Sequence, residues 1–401
     1  MRLSLVLNER PRADHEVAVE VSLGDELLGA QTLLVRERDV ELTLSLPRQT
    51  NGQVYEKTLW SPESPVLLDA SVELRPAGTS SGTTDRIASY LGLRDVAVRD
   101  GRFQLNDRPY FLRSVLEQGL WPTSLLTPPD ADALRAEVQL IKDLGFNSAR
   151  IHQKAEDPRF LYWADRLGLT IWAETANAYA FSPRAVEMLT REWLDLVRRD
   201  RSHPSIVTWV PLNESWGVQH GPHDVAQQDY SLALVHLTRA LDPTRPVISN
   251  DGWEHTDSDI WTIHDYEPSG DVLRTRYGTP EAVQAMLDGV GPAGRRILLA
   301  DAAPTVERGQ AVMLTEFGGV SYAGARDDAW GYSTATDDTD FEARVGDLID
   351  AARTAAPLSG FCYTQLTDTG QETNGLLFAD RTPKLPVEVL RRLVTGEPGG
   401  A

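Results

Sequence analysis

The alternation of strand and helix patterns that begins near residue 100 constrains the fold of this chain more than any other feature. Eight short apolar runs have strand character: Tyr110–Leu116, Ser148–His152, Thr170–Glu174, Val207–Leu212, Pro246–Asn250, Trp261–Tyr266, Val312–Glu316 and Gly360–Leu366. Apolar residues repeating at three and four predict helices after most of them: Ala131–Leu144, Arg184–Arg199, Val225–Leu241, Phe341–Ala352 and Val387–Val394. This rhythm predicts an α/β fold, a closed (β/α)₈ TIM barrel, with a doubly wound open sheet as the alternative.

Residues 1–97 have a different pattern, with strand signals and no helix signal. Val40–Leu46 alternates strictly between apolar and polar residues, and Val17–Val21 and Ser71–Leu74 continue the pattern less regularly. Short alternating runs separated by turn residues are typical of a small β-sandwich. The predicted domains are therefore 1–97, a sandwich, and 98–401, the barrel.

Composition excludes several classes of partner. The 39 basic and 59 acidic residues give a net charge of −20, which disfavours nucleic acid and anionic membrane surfaces. The single cysteine, Cys362, forms no intrachain disulfide. No apolar run is long enough for a spanning helix, and the first residues do not resemble a signal peptide. We therefore predict a cytoplasmic protein, and a homo-oligomer is left open.

Two predicted barrel strands deliver a glutamate to the same rim. The fourth runs into Glu214 and the seventh ends at Glu316, and barrel enzymes place reacting groups at the carboxyl ends of their strands. A lone glutamate is ordinarily a solvated surface charge, but two that face each other across a barrel mouth can hydrolyse a glycosidic bond. One protonates the leaving oxygen, and the other attacks the anomeric carbon or activates a water.

The residues around both glutamates resemble motifs of glycoside hydrolase family 2, which contains β-galactosidases, β-glucuronidases and β-mannosidases. Arg201–Val207, followed by Asn213-Glu214-Ser215, is similar to the family's acid/base signature, and Thr315–Gly318 is similar to its nucleophile motif. Trp60–Pro65 resembles a segment of the immunoglobulin-like domain that precedes the barrel in that family. The resemblance therefore implies an immunoglobulin-like sandwich before the barrel.

The resemblance also assigns roles to individual residues. It makes Glu316 the nucleophile of a retaining mechanism and Glu214 the general acid/base. Arg150 corresponds to an arginine beside the nucleophile, and Asn213 to a residue that binds the sugar 2-hydroxyl. Tyr266 corresponds to a tyrosine that donates a hydrogen bond to the nucleophile.

Further residues are weaker candidates for substrate binding. His264 resembles a histidine that lines the pocket of relatives, and Tyr363 stands where many relatives have a tryptophan under the sugar. His152 follows Arg150 by two residues and so faces the same side of its strand. Glu174 ends the third strand, and Trp216 lies in a loop where its ring could stack on a sugar. Each of them could equally serve ordinary packing.

Departures from the family refine the predicted function. Relatives usually carry a sugar-binding domain ahead of the sandwich, whereas this sequence begins almost at once with the sandwich. The uronate-binding Asn-x-Lys motif of the β-glucuronidases is replaced by Glu372-Thr373-Asn374. After Glu174 the histidine that binds magnesium in large β-galactosidases is not found, so no metal or cofactor is expected.

The predicted function is that of a retaining exo-β-glycosidase acting on a carbohydrate with a terminal β-linked neutral sugar, β-galactoside first. A different class remains as the alternative, namely a carbohydrate-binding fragment of a family 2 enzyme with an impaired site. An aldolase or isomerase barrel is disfavoured because the predicted strand ends carry no lysine for a Schiff base.

Overall fold

Parallel strands and intervening helices build the larger of the two units into which the computed structural model of the chain divides. That unit comprises Asp95–Arg201 with Ser205–Ala401, and the smaller unit comprises Met1–Arg94 with Ser202–Pro204. The structure describes residues 1–50, 55–79, 85–299, 309–322 and 330–397. Within these residues, no helix has the length and the apolar character needed to cross a membrane.

Seven parallel strands of the larger unit form one sheet. In their hydrogen-bonding order they are Ile206–Val210, Thr170–Glu174, Ser148–Ile151, Leu112–Glu117, Leu358–Thr364, Ala311–Gly318 and Ile260–Asp265. The first strand in sequence pairs with the last, with Ser114 opposite Cys362. A doubly wound open sheet does not join its first and last strands in this way, so the open-sheet alternative is wrong and the TIM-barrel arrangement is confirmed.

The fifth predicted strand, Pro246–Asn250, is not a regular strand. The segment does occupy the position of one, because Val247 forms an isolated parallel bridge with Trp209 of the preceding strand. Its backbone groups bond partly to side chains: the Ser249 amide donates to the hydroxyl of Ser258 at 2.8 Å. Side-chain partners replace the regular hydrogen-bond ladder here. The prediction of a regular strand is therefore wrong, although the segment occupies the place of the fifth strand.

Eight helices of the larger unit lie among the described residues: Ala131–Asp143, Pro158–Leu167, Pro183–Asp200, Val225–Leu241, Gly270–Tyr277, Pro280–Leu287, Asp338–Thr354 and Val387–Thr395. Each of the five predicted helices matches one of them to within a few residues. Their starts are chemically marked. Pro158 and Pro183 open helices preceded by Asp157 and Ser182, whose side chains accept hydrogen bonds from first-turn amides.

The strand that leads to Glu214 is held by two tryptophans. Trp209 of this strand packs edge to face against Trp193 of the helix Pro183–Asp200, with ring centroids 5.8 Å apart. Both indole nitrogens are satisfied, Trp193 donating to Thr238 at 2.7 Å and Trp209 to Asp242 at 2.8 Å. Large buried rings with satisfied polar atoms make the strand a rigid base for the residues at its carboxyl end.

Two groups of short strands complete the larger unit. Val96–Arg99, Arg102–Leu105 and Arg108–Pro109 form a three-stranded antiparallel sheet, and Val320–Ser321 pairs with Ser333–Thr334. The hairpin side chain of Phe103 is buried in one cluster with Leu112 and Met313 of the barrel strands. This apolar packing explains why the larger unit begins before the first barrel strand.

The smaller unit consists of antiparallel strands in two sheets. One sheet contains Glu26–Val35, His15–Leu23, Leu68–Pro76 and Asp85–Leu91, and the other pairs Arg2–Val6 with Asp39–Thr43. A helical turn, Pro47–Thr50, and the 3₁₀ turn Tyr55–Thr58 follow the second sheet. The alternating residues Val17, Val19 and Val21 are buried on one face, as the sequence pattern predicts. The immunoglobulin-like class of this unit stays a prediction.

Candidate active site

Glu214 and Glu316 meet at the carboxyl ends of the barrel strands. One carboxylate oxygen from each, together with one ring nitrogen of His264, lie within 4.8 Å of one another. The Glu214 side chain is 23% exposed and that of Glu316 is 7% exposed. Glu214 is therefore the more accessible of the two carboxylates, and Glu316 is the more buried.

The backbone around Glu214 is held in an unusual conformation. Glu214 and Ser215 both have left-handed φ values, 49° and 55°, which non-glycine residues rarely adopt. The Glu214 amide donates to the carbonyl of Asp251 at 3.0 Å, and the Ser215 amide donates to the side chain of Asn250 at 2.8 Å. These bonds to the fifth barrel position fix the turn that aims Glu214 into the cavity.

Arg150 is fully buried and connects four side chains of the site. Its Nη1 lies 2.8 Å from Glu316 and 2.7 Å from Asp251. Its Nη2 donates to the side-chain oxygen of Asn213 at 2.6 Å, and its Nε donates to Glu174. The guanidinium fork suits this arrangement because its donors point in fixed directions toward several acceptors at once.

The charge of Glu316 is fixed by its neighbours. Burial raises the pKa of this carboxyl, but His264 and Arg150 outweigh it, and the net pKa is lowered. Tyr266 donates from its hydroxyl to Oε2 at 2.6 Å, while Arg150 binds Oε1. Glu316 is therefore an ionised carboxylate with both oxygens oriented.

His264 bridges Glu214 to a second, deeper carboxylate. Nδ1 lies 2.8 Å from Glu214 Oε1, and Nε2 lies 3.0 Å from Asp251 Oδ2. Burial lowers the pKa of His264, but the surrounding carboxylates, Glu316 first, outweigh it and raise the pKa to about 10. The ring is therefore an imidazolium at neutral pH and donates from both nitrogens.

Glu174 and His152 are two further predicted polar residues of the site. Glu174 accepts from Arg150 and from the amide of Gln153, and burial raises its pKa to about 7 against the effect of Arg150. His152 lies 3.9 Å from Glu316, and burial lowers its pKa to about 4, so it is neutral at pH 7. His152 thus lies beside Glu316, and Glu174 is linked to Glu316 through Arg150.

A cavity of about 470 Å³ opens in front of these groups, within the size range of small-ligand pockets. Its lining includes Glu214, Trp253, His264, Tyr266, Arg276 and Tyr332. The rings of Tyr266 and Tyr332 stack with centroids 3.4 Å apart and 6° between their planes. The stacked tyrosines and the Glu214 carboxylate thus line the same cavity.

Two predicted site residues lie elsewhere. Tyr363 is wholly buried against Phe317, so the expectation that it lies under the sugar is wrong. Alternate strand residues face opposite sides, and its neighbour Thr364 reaches the site instead, 3.3 Å from the Tyr266 hydroxyl. Trp216 is 38% exposed and packs against Tyr179, outside the cavity lining.

Asp251 and Tyr332 are among the site residues that sequence reasoning missed. Asp251 directly follows the fifth predicted strand, and the rule that selected Glu214 and Glu316 would have selected it too. Tyr332 lies outside any predicted strand or helix, and nothing in the local sequence indicates that it stacks on Tyr266.

One group of acidic and histidine side chains among the described residues lies close enough together to hold a metal, namely Glu214, His264 and Glu316. The group already contains its own cations. His264 is protonated, and the guanidinium of Arg150 binds Glu316. Because a metal ligand must be a deprotonated imidazole or a free carboxylate, this arrangement fits proton sharing better than cation binding.

The fold and the site define a TIM-barrel protein, and part of its sequence matches a known family of such domains. Residues 96–272 match the family described as "Glycosyl hydrolases family 2, TIM barrel domain". This match confirms the resemblance to glycoside hydrolase family 2 that the motifs predict. Over 228 residues it is 28% identical to "Beta-galactosidase 2" of Enterobacter cloacae, covering 54% of this chain and 20% of that protein. The chain thus spans about a fifth of that relative's length.

Solved structures share the fold over nearly the whole chain. The β-galacturonidase of Eisenbergiella tayi bound to galacturonate has a TM-score of 0.74 at 19% identity, over 99% of this chain and 69% of that one. The β-glucuronidase of Parabacteroides merdae has a TM-score of 0.73 at 18% identity, over 96% of this chain and 49% of that one. At such identities the likeness concerns the fold.

Proposed function

We propose that this chain is a retaining exo-β-glycosidase in which Glu316 is the nucleophile and Glu214 the general acid/base. The separation of the two carboxylates carries the proposal, because their oxygens approach within 4.8 Å. Carboxyl groups about 5–5.5 Å apart are typical of retaining enzymes, whereas about 6.5–9.5 Å leaves room for the water of an inverting enzyme.

The proposed reaction has two displacements. The ionised Glu316 attacks the anomeric carbon and forms a glycosyl ester while Glu214 protonates the departing oxygen. Water then attacks the same carbon, Glu214 takes its proton, and Glu316 leaves as a carboxylate. Arg150 and Tyr266 hold the nucleophile, and Asn213, fixed by the guanidinium of Arg150, presents its amide to the sugar 2-hydroxyl.

Replacement of Glu214 by alanine tests the acid/base role. A glycoside with a poor leaving group should lose about 10²–10⁴-fold in kcat/KM, because its departing oxygen needs a proton. A 2,4-dinitrophenyl glycoside should react nearly as fast as before in the first step, since dinitrophenolate leaves without protonation. Equal losses on both substrates, measured by single-turnover kinetics, would contradict the assignment of Glu214.

The acidic lining of the cavity supports a neutral sugar. Asp265 and Glu267 line it, and the guanidinium of Arg276 already pairs with them at 2.8 Å and 3.4 Å. Glu372, whose pKa is raised by burial and by Glu316, lies in the region that carries the uronate-binding lysine in β-glucuronidases. The β-galactosidase named among the sequence relatives supports a β-galactoside as the first candidate.

A panel of 4-nitrophenyl glycosides tests this specificity. We expect the β-galactoside to be hydrolysed fastest, ahead of the β-mannoside and β-glucoside. The β-galacturonide and β-glucuronide should be at least about tenfold slower, because the guanidinium of Arg276 in the lining is already paired with Asp265 and Glu267. Since the structural neighbours named above are uronidases, faster cleavage of either uronide would replace the neutral-sugar proposal with theirs.

The alternative is a carbohydrate-binding fragment with an impaired site. It remains from the sequence, for which the proposed division is an immunoglobulin-like domain, 1–97, and a catalytic barrel, 98–401. The assembled pair of carboxylates supports an active enzyme instead. Incubation with 2-deoxy-2-fluoro glycosyl fluorides separates the two: covalent mass on Glu316 supports the enzyme, and no labelling by any sugar supports the fragment. The cytoplasmic location and the homo-oligomer stay predictions.

A further inference from the structure

We propose that His264 stores the proton that Glu214 delivers, so that the acid/base of this site is a Glu214–His264 pair and not a single carboxyl group. The proposal rests on the proposed function and adds a positioning residue to it. Its basis is the direct contact between His264 Nδ1 and Glu214 Oε1, which lie 2.8 Å apart.

Four charged groups face the His264 ring. Glu214 and Glu316 lie 2.8 Å and 3.5 Å from Nδ1, and Asp251 lies 3.0 Å from Nε2. Nη1 of Arg150 lies 3.4 Å from Nε2. Asp251 also binds Arg150 at 2.7 Å. This buried carboxylate therefore contacts both cations and stabilises the imidazolium beside the guanidinium.

The ring has little freedom to leave this position. Gly252 has a left-handed φ of 80°, and a Cβ there would lie 2.3 Å from the His264 ring. The glycine therefore lets the backbone pass directly over the imidazole. A ring covered on this side by backbone and bound at both nitrogens keeps Nδ1 aligned with Glu214 throughout the reaction.

Formation of the glycosyl ester would draw the proton out of the ring. Burial lowers the pKa of His264, and the carboxylate of Glu316 is the strongest influence that opposes it. As Glu316 bonds to the anomeric carbon its negative charge disappears, and the imidazolium becomes more acidic. The proton passes from Nδ1 to Glu214 and from Glu214 to the leaving oxygen. The C–O bond electrons stay on that oxygen, and the ring ends neutral.

Hydrolysis of the ester would return the proton. Water attacks the anomeric carbon, its proton moves to Glu214 and on to Nδ1, and its oxygen becomes the hydroxyl of the sugar product. Glu316 recovers its negative charge and again stabilises the imidazolium. Each turnover therefore begins and ends with Glu214 and Glu316 as carboxylates and His264 protonated, and no further reactant is needed.

The test is His264→Gln, which can still donate one hydrogen bond to Glu214 but carries no proton to release. On an alkyl glycoside of the preferred sugar we expect kcat/KM to fall by about 10²-fold or more, and on the 2,4-dinitrophenyl glycoside by less than about threefold. The basic limb of the pH profile should move to lower pH, because the variant has no imidazolium to hold the transferred proton.

The matched control is His236→Gln, the same chemical change at a histidine whose side chain is 68% exposed on the helix Val225–Leu241. It should leave the leaving-group dependence and the basic limb as in the wild type. Labelling of Glu316 by the 2-deoxy-2-fluoro glycosyl fluoride should persist in His264→Gln, and His264→Asn is assayed alongside in case the first variant is misfolded. Equal losses of kcat/KM on both substrates, or an unchanged basic limb in a variant that is labelled, would contradict the proposal that His264 stores the proton. An unlabelled wild type would instead overturn the proposed function.

Discussion

Replacing Glu316 with glutamine should reduce turnover by about 10⁴-fold or more while leaving the barrel folded. The amide has almost the shape of the carboxylate and can still bond to Arg150 and Tyr266, but it cannot attack an anomeric carbon. The measurement is kcat on the best nitrophenyl glycoside of the panel, with a thermal unfolding curve of the same sample.

The matched control is Glu187→Gln, the same chemical change on an exposed helix position, where the carboxylate pairs with Arg191. It should alter neither activity nor stability measurably, because exposed ion pairs contribute about 0–1 kcal/mol. Residual turnover in Glu316→Gln within about tenfold of wild type would mean that another group attacks the sugar. The same result with a fluoro-sugar label elsewhere in the chain would identify that group.

The positions of the two glutamates follow from the sequence because barrel strands obey a strict rule. Each predicted strand that leads to one of them is a mostly apolar run, and parallel strands present their carboxyl ends on one face. The strand pattern also led to His152 and Glu174, whereas Arg150 came from the family resemblance. In the structure Arg150 and His152 lie near Glu316, and Glu174 binds Arg150.

The remaining features depend on information that the sequence pattern does not contain. Tyr363 and Thr364 are neighbours in one strand, and which of them faces the cavity depends on register, which continuous apolar runs do not reveal. At the fifth predicted strand, hydrogen bonds to side chains such as that of Ser258 replace the regular ladder. These bonds depend on the tertiary structure and cannot be predicted from the local sequence pattern. Tyr332 reaches its partner Tyr266 from another part of the chain, so local periodicity gives no indication of it.

The buried charges of the site nearly cancel. Glu174, Asp251 and Glu316 are three buried carboxyl groups around one guanidinium, and His264 supplies a second cation. Because Glu174 has a pKa raised to about 7 by burial, part of its charge is removed by protonation near neutral pH. A cluster of this kind is stable only while its cations are present, since each buried charge without a partner is strongly unfavourable.

Arg150→Met should therefore destabilise the protein by about 3–5 kcal/mol, the expected effect of removing one partner from a buried ion pair. Arg150→Lys should lose less stability than Arg150→Met, because the ammonium keeps the positive charge. It should still be less stable than the wild type, because an ammonium cannot bind Glu174, Glu316 and Asn213 together. The free energy of unfolding, measured by urea denaturation, is compared with that of Arg191→Met, an exposed arginine that should matter by less than about 1 kcal/mol.

The loss in Arg150→Met should also depend on pH in a defined direction. Without the guanidinium, the folded-state pKa values of Glu174, Asp251 and Glu316 rise above their unfolded values, since burial then acts with less opposition. A carboxyl with a raised folded pKa binds its proton more tightly in the folded protein, so stability falls as pH rises. The deficit relative to wild type should be larger at pH 8 than at pH 5. A deficit that is equal at both pH values, or no larger than that of Arg191→Met, would mean that Arg150 does not hold these charges in the fold.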